Sequence, residues 1–412
     1  MSRPASLDVY YGDELVGRVL DASPLAFAYA DAWLGRPKPF AMGAVPLQKG
    51  VHGTNQIQVF FENLLPEGEL RQYIAEQKKA STLFSLIYEV AGDTAGAFVI
   101  LEAGKKPEKP SYQKTSWEEL ARKLGKNSGA AIDLKGKGSR ISLAGAQDKT
   151  TIAIGEDGQP LLPSGTTSST HILKPEIRRL DKVWGSAANE TIIMRAAHHC
   201  GLRTAEVFFE PKTHSCVVKR FDRLMRSDGT LYRLIQYDLC QLAGTMSESK
   251  YEKEGGPGAV KCAELIRKYS SIPALDLRDY VEWIFFNLYV GNNDSHAKNL
   301  SIYVLPGGDA RLTPFYDLMC TRLYPGLSRE FAFSIGGESQ PGHVGRAQVE
   351  QLANELGFKP GVVLGMAAKL AQRMEAAIER AVKDVVPAVY HSEMARAGEA
   401  IAIVMGNDTK AH

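Results

Sequence analysis

The sequence predicts an α+β protein with a β-rich N-terminal lobe and a mostly helical C-terminal lobe. Three observations carry this. Leu7, Val9, Leu15, Val16, Val19 and Leu20 surround a Tyr11-Gly12-Asp13 turn, the pattern of a hairpin, and short strand-like runs recur through the first half. Beyond Tyr251 helical patterns dominate. At 412 residues the chain is long enough for a large core divided into two or three parts, expected at 1–105, 106–245 and 246–412.

Each element follows in order. Phe60-Phe61-Glu62-Asn63-Leu64-Leu65-Pro66 begins a helical stretch, and Ala97 to Leu101 returns as a strand. Residues 103–115 are polar, basic and broken by Pro107 and Pro110, which predicts a surface linker. Ile152 to Ile154 and Leu161-Leu162 are strands flanking the turn 155–158. Thr170 to Lys174 is a strand closed by Pro175, and a helix follows with Ser186 as N-cap and Gly201 past its end. Val207 to Phe209, Cys216 to Phe221 and Leu231 to Ile235 are further strands. Within the helical half, strands are expected only at Leu300 to Val304 and around Phe315. Val349 to Phe358 with Val362 and Val363 has the apolar spacing of a helix-turn-helix. A helical hairpin gives the same pattern and is favoured, because 358–361 offers few base-reading side chains.

Charge and cysteine usage exclude several classes. Lys and Arg number 49 against 47 Asp and Glu, a net charge of +2, so no global field draws the chain to nucleic acid or membrane. Five scattered cysteines without a C-x-x-C pair suit buried free thiols in a reducing compartment. The N-terminus lacks a signal-peptide apolar region, and the apolar run 281–290 is too short to span a bilayer. A cytoplasmic location is expected.

The chemistry concentrates in a few strings. Asp294 lies in Gly291-Asn292-Asn293-Asp294-Ser295-His296-Ala297-Lys298-Asn299, just after that apolar run. A carboxylate followed five positions later by a carboxamide has the spacing of a kinase catalytic loop. There the Asp takes or orients the attacking hydroxyl's proton and the Asn binds Mg²⁺. Asp317, in Pro314-Phe315-Tyr316-Asp317-Leu318, is placed to hold the metal from the other side. Lys174 ends an apolar strand, where burial demands an anionic partner, and Glu190 in the next helix is the candidate; a solvent-reaching lysine is the plainer alternative. Ala144-Gly145-Ala146-Gln147-Asp148-Lys149 is a small-residue loop, either a tight turn or a phosphate cover. Tyr237-Asp238-Leu239 follows a strand where a kinase hinge would meet adenine, or is a strand-to-helix junction with Asp238 as N-cap. His198 and His199 point about 100° apart on a helix, too far to share a metal, and His296 is expected to brace its loop.

Taken together, RISLAGAQDKT, THILK, VVKRFDR, EGGPG, GNNDSHAKN and LTPFYD resemble, in order, the motifs of HipA-type serine/threonine kinases, the toxin halves of bacterial HipBA toxin–antitoxin modules. The resemblance covers nearly the whole chain and implies a two-lobed, protein-kinase-like fold with ATP and Mg²⁺. It makes Asp294 the catalytic base and Asn299 with Asp317 the metal ligands. It puts Ala144 to Lys149, Lys174, Tyr237 to Leu239, His296, Lys298, Asn299 and Tyr316 at the nucleotide. It makes Ser142 a self-inactivating autophosphorylation site, since a phosphoserine competes with ATP for the loop's donors. The implied partners are a HipB-like helix-turn-helix antitoxin dimer, operator DNA mainly through that antitoxin, and a protein substrate such as glutamyl-tRNA synthetase or another synthetase. The competing functions are a lipid or small-molecule kinase and a DNA-binding corepressor with a vestigial site.

Overall fold

The computed structural model describes residues 4–90, 92–126, 147–178, 180, 182–227 and 229–385. The chain divides into two compact units, each assembled from separated segments. The first comprises Met1–Ile172, Arg220–Glu248 and Tyr303–Gly308; the second comprises Leu173–Lys219, Ser249–Ile302 and Asp309–His412.

In the first unit, the hairpin Ser6–Tyr11 and Glu14–Leu20 is the centre of a five-stranded sheet. Ala26–Tyr29 and then Val51–Gly53 extend it on one side, and Phe98–Glu102 on the other, every pairing antiparallel. Leu7, Val9, Val16 and Val19 are buried, while Tyr10, Val99 and Leu101 form a cluster on the opposite face. Gly17 is required where it stands: a Cβ there would lie 2.4 Å from both the Ala28 carbonyl oxygen and the Phe27 ring.

Two expectations for this unit are corrected. Phe60 and Phe61 close a helix, Asn55–Glu62, rather than opening one. The Asn63 side chain takes up the carbonyls of Val59 (2.9 Å) and Thr245 (3.0 Å), and Pro66 has no N–H to continue the ladder. A new helix then runs Gly68–Lys78. The segment 103–115 is not linker throughout: Tyr112–Lys114 is a strand pairing antiparallel with Leu161–Pro163. Backbone supplies that pairing whatever the side chains are, so a polar composition conceals it. Leu231–Arg233 pairs with Arg223–Met225, and Ile235–Asp238 is a separate strand.

The second unit is mostly helical. Helix Ser186–His199 begins one residue earlier than expected, on Gly185, and Ser186 is its first residue. Its capping group is the Glu176 carboxylate, which accepts from the Ser186 N–H (2.6 Å) and the Ala187 N–H (3.3 Å), a negative charge at the positive end of the helix. Helix Pro273–Val290 is buried nearly all round through Tyr280, Trp283, Phe286 and Tyr289 and ends at Gly291, φ 67°. That left-handed cap turns the chain into the Asp294 loop. Asp276 in its first turn is fully buried and bonded to Arg311 (2.8 Å) and the Leu312 N–H (2.8 Å), fixing the strand Ala310–Leu312. Of the strand Ser301–Val304, only Ser301 and Ile302 belong to this unit; Phe315 makes only an isolated bridge with Thr204. The C-terminal pattern is a helical hairpin, Arg346–Glu355 and Pro360–Val385. Val363, Ala367, Leu370, Met374, Ile378 and Ala381 form the buried stripe of its long arm, which packs on helix Ser186–His199. Among the described residues no helix is long and apolar enough to cross a membrane.

Candidate active site

Lys174 sits in the strand His171–Pro175, beside the antiparallel pair Val207–Glu210 and Ser215–Lys219. Its ammonium is buried, 2.6 Å from Glu190 Oε1 and 2.7 Å from Asp317 Oδ1. Burial alone would drive the lysine toward neutrality, but the charges of Asp317 and Glu190 reverse this and hold it well above its ordinary value. It is therefore a fixed cation. Glu190 is buried in the helix interior, whereas the Asp317 side chain is 39% exposed. The lysine thus joins a buried anchor to a carboxylate facing outward.

Asp317 has a left-handed backbone, φ 61°, sparsely populated for a residue with a side chain. Neighbouring contacts hold the segment there. Asn189 donates to the Cys320 carbonyl (3.0 Å) and accepts from the Cys320 N–H (2.9 Å), while Thr321 Oγ1 accepts from the Asn293 N–H (2.8 Å). The Arg322 N–H reaches the Gly291 carbonyl (3.0 Å). Thus the Asp317 segment is tied both to the helix of Glu190 and to the loop of Asp294.

The Asp294 side chain is 53% exposed. The Tyr251 hydroxyl donates to its Oδ1, and Asn299 Nδ2 donates to its backbone carbonyl (3.0 Å). That second bond orients the Asn299 amide, turning its oxygen away from the Asp294 carbonyl. His296 is buried, its ring set edge-on against Tyr251 at 5.2 Å. Burial first, then the charges of Lys250 and Lys298, push its pKa well below the usual imidazole value, with Asp317 opposing. A neutral imidazole with Nε2 3.8 Å from Asp294 makes a polar contact, not an ion pair. Lys298 is buried in the turn Ala297–Asn299. The Tyr316 hydroxyl donates to the Lys298 carbonyl (3.0 Å) and lies 2.7 Å from Ser301 Oγ, which makes it a brace between loop and strand.

Lys174, Glu190, Asp294, His296, Lys298, Asn299, Tyr316 and Asp317 all belong to the second unit, while Gln147, Asp148, Lys149 and Tyr237 to Leu239 belong to the first. Lys149 is buried. Tyr237 is buried against Phe60 (5.9 Å), and its hydroxyl donates to the Ala41 carbonyl (2.9 Å). Asp238 is the N-cap of helix Leu239–Ala243 in a capping box with Gln241, so the strand-to-helix junction left open by the sequence is present. Ser142, Ala144, Gly145 and Ala146 lie outside the described residues.

Asn189 and Tyr251 were missed from sequence. An asparagine inside a helix goes against propensity and could have flagged a tertiary role for Asn189; Tyr251 precedes a glycine-rich turn and leaves no periodic signal.

A strand lysine paired to a helix glutamate, an outward carboxylate beside it and an Asp-x-x-x-x-Asn loop form a kinase-type site on an α+β scaffold. The HipA N-terminal domain model matches residues 7–101 and the HipA-like C-terminal domain model matches 141–388. The chain belongs to the HipA family. Y4mE of Sinorhizobium fredii is 33% identical over 393 residues, 92% of each chain. The serine/threonine-protein kinase toxin HipA of Shewanella oneidensis is 28% identical over 404 residues, 92% of this chain and 89% of that one. The solved structure of S. oneidensis HipA with HipB and its operator DNA superposes with a TM-score of 0.81 at 26% identity, covering 97% and 96% of the two chains.

Proposed function

We propose that this HipA-family chain is an ATP- and Mg²⁺-dependent serine/threonine-protein kinase acting as the toxin of a toxin–antitoxin module. The observation that carries this is Lys174, held as a cation between buried Glu190 and exposed Asp317. A buried lysine with a single carboxylate needs only structural reasons. One that extends a second, solvent-facing carboxylate, itself tied to the loop of Asp294, supports phosphate chemistry.

In this reading Lys174 binds phosphate oxygens of ATP, and buried Glu190 anchors the ammonium at the strand end beside Asp317. Asp294 accepts the proton of an incoming serine or threonine hydroxyl as its oxygen bonds to the γ-phosphorus and the bond to ADP breaks. One carboxylate and one amide oxygen, from Asp317 and Asn299, are the sparse hard-oxygen donor set that suits an ion completing its shell with waters and phosphate oxygens. Mg²⁺ bound by these two side chains would supply positive charge against the triphosphate. The finer family properties follow the same proposal: a cytoplasmic location, a HipB-like antitoxin partner, operator DNA reached mainly through it, an aminoacyl-tRNA synthetase as target, and self-inactivation at Ser142. The complex of S. oneidensis HipA with HipB and operator DNA supports the partners.

The test is incubation of the purified chain with γ-labelled ATP, Mg²⁺ and a bacterial lysate. Label on serine of the chain and of a few lysate proteins, abolished by EDTA, is expected; no transfer to any protein would remove the kinase reading. Asp317→Asn should weaken nucleotide binding in Mg²⁺ on the order of tenfold or more, because it removes a ligand charge and one partner of Lys174. Calorimetric titration with Mg²⁺-ATP checks this, and unchanged affinity would take Asp317 out of the metal site.

A further inference from the structure

Tyr251 is a side chain in direct contact with the Asp294 carboxylate that no motif accounts for. Its hydroxyl donates to Oδ1, and about half of the Asp294 side chain is exposed, open to an incoming hydroxyl. We propose that Tyr251 is a positioning residue for phosphoryl transfer, holding the Asp294 carboxylate in the orientation that meets the hydroxyl being phosphorylated. This rests on the kinase reading of the same site.

The alternative is a gate, with Tyr251 standing in for the acceptor hydroxyl and swinging away when substrate arrives. The backbone that carries it argues for a fixed post. The Tyr251 carbonyl accepts from the N–H groups of Glu254 (3.0 Å) and Gly256 (2.9 Å), closing a tight turn. Gly256 is packed so closely that a Cβ there would lie 2.1 Å from the Ser249 carbonyl oxygen. The next side chain, Glu252, is anchored by the Ser334 N–H and by its hydroxyl at 2.9 Å. A Cβ on Gly258 would strike the Glu252 carboxylate at 2.2 Å, so the far end of the turn closes on that anchor. The Tyr251 ring is in turn backed edge-on by buried His296. A tyrosine pinned at its backbone, at its neighbour's side chain and at its ring has little room to swing.

Few orientations of a carboxylate aim a lone pair at the acceptor, and a charge-assisted hydrogen bond from a pinned hydroxyl narrows the range it samples. The Tyr251→Phe variant deletes the hydroxyl and keeps the ring against His296. Its turnover for label transfer from γ-labelled ATP to the chain itself, under single-turnover conditions, should fall by about tenfold to a hundredfold. ATP affinity and melting temperature should stay at wild-type values. Tyr251→Ala should add a loss of stability, because it also uncovers His296. Wild-type turnover in Tyr251→Phe with impairment only in Tyr251→Ala would reduce Tyr251 to ring packing and overturn the proposal. A faster Tyr251→Phe would overturn it in favour of the gate. Absence of transfer by the wild type would instead overturn the kinase reading, and this inference with it.

Discussion

Asp294→Asn is expected to lower phosphoryl transfer by about 10²- to 10⁴-fold while leaving ATP affinity nearly unchanged. The substitution is isosteric, and the contacts that shape the loop do not depend on the carboxylate's charge. Asn299 Nδ2 bonds the backbone carbonyl of residue 294 at 3.0 Å, and the Asp294 N–H bonds Asn292 Oδ1 at 3.3 Å. The Tyr251 hydroxyl finds an amide oxygen in place of Oδ1. What disappears is the proton acceptor, since an amide oxygen is far too weak a base to take a hydroxyl's proton at neutral pH. Lys174, Glu190 and Asp317 are left intact, so nucleotide binding persists. Single-turnover transfer with γ-labelled ATP, beside calorimetric titration with the same nucleotide, separates the two effects. Undiminished transfer would show that Asp294 is not the base. In a bacterium lacking the antitoxin, the wild-type chain should arrest growth and the variant should not; equal arrest by both would place toxicity in binding rather than catalysis.

What the sequence made legible at this site has a common cause. Lys174 and Glu190 were readable because a cation at the end of an apolar strand must find an anion, and the following helix offers Glu190 on its buried side. Asp294 and Asn299 were readable because their spacing spans one tight turn, just after the apolar run 281–290. Tyr251 was not readable, because its meeting with Asp294 is long-range and depends on a turn built by Gly256 and Gly258. Nor was the left-handed backbone of Asp317, whose segment is held through Cys320 and Thr321 by Asn189 and Asn293, both far away in the chain. The fold shows the same division. The hairpin from Leu7 to Leu20 follows from its own alternation, whereas the strand Tyr112–Lys114 exists only because Leu161–Pro163 lies beside it. The return of Arg220–Glu248 to the first unit likewise brings together charges that are distant in the chain.

Those charges yield the largest expected loss of stability. Arg220, Arg223 and Arg233 converge on Asp93 and Asp222 inside the first unit, all five side chains being about nine-tenths buried or more. Arg220 and Arg223 each reach Asp222 Oδ2 at 2.8 Å, and the Gly96 N–H donates to the same oxygen at 2.8 Å. Burial alone would raise the Asp222 pKa, but the two guanidinium groups more than reverse this and hold it at about 2. Arg233 already shows the strain of crowding: burial first, then repulsion from Arg223, lowers its pKa to about 10. Asp222→Asn should therefore cost about 3–5 kcal/mol, because it leaves three buried cations facing one carboxylate. Against a typical stability of about 5–15 kcal/mol, that is enough to unfold a large share of molecules at elevated temperature. The native pKa lies below the unfolded one, so the carboxylate stabilises the fold fully above about pH 4, and that contribution fades as pH falls toward 2. Thermal unfolding of wild type and variant at pH 7 and at pH 3 checks both parts. The melting temperatures should lie roughly 10 °C apart at pH 7 and approach each other at pH 3. A variant melting within a degree or two of wild type at neutral pH would mean that the network contributes specificity without stability.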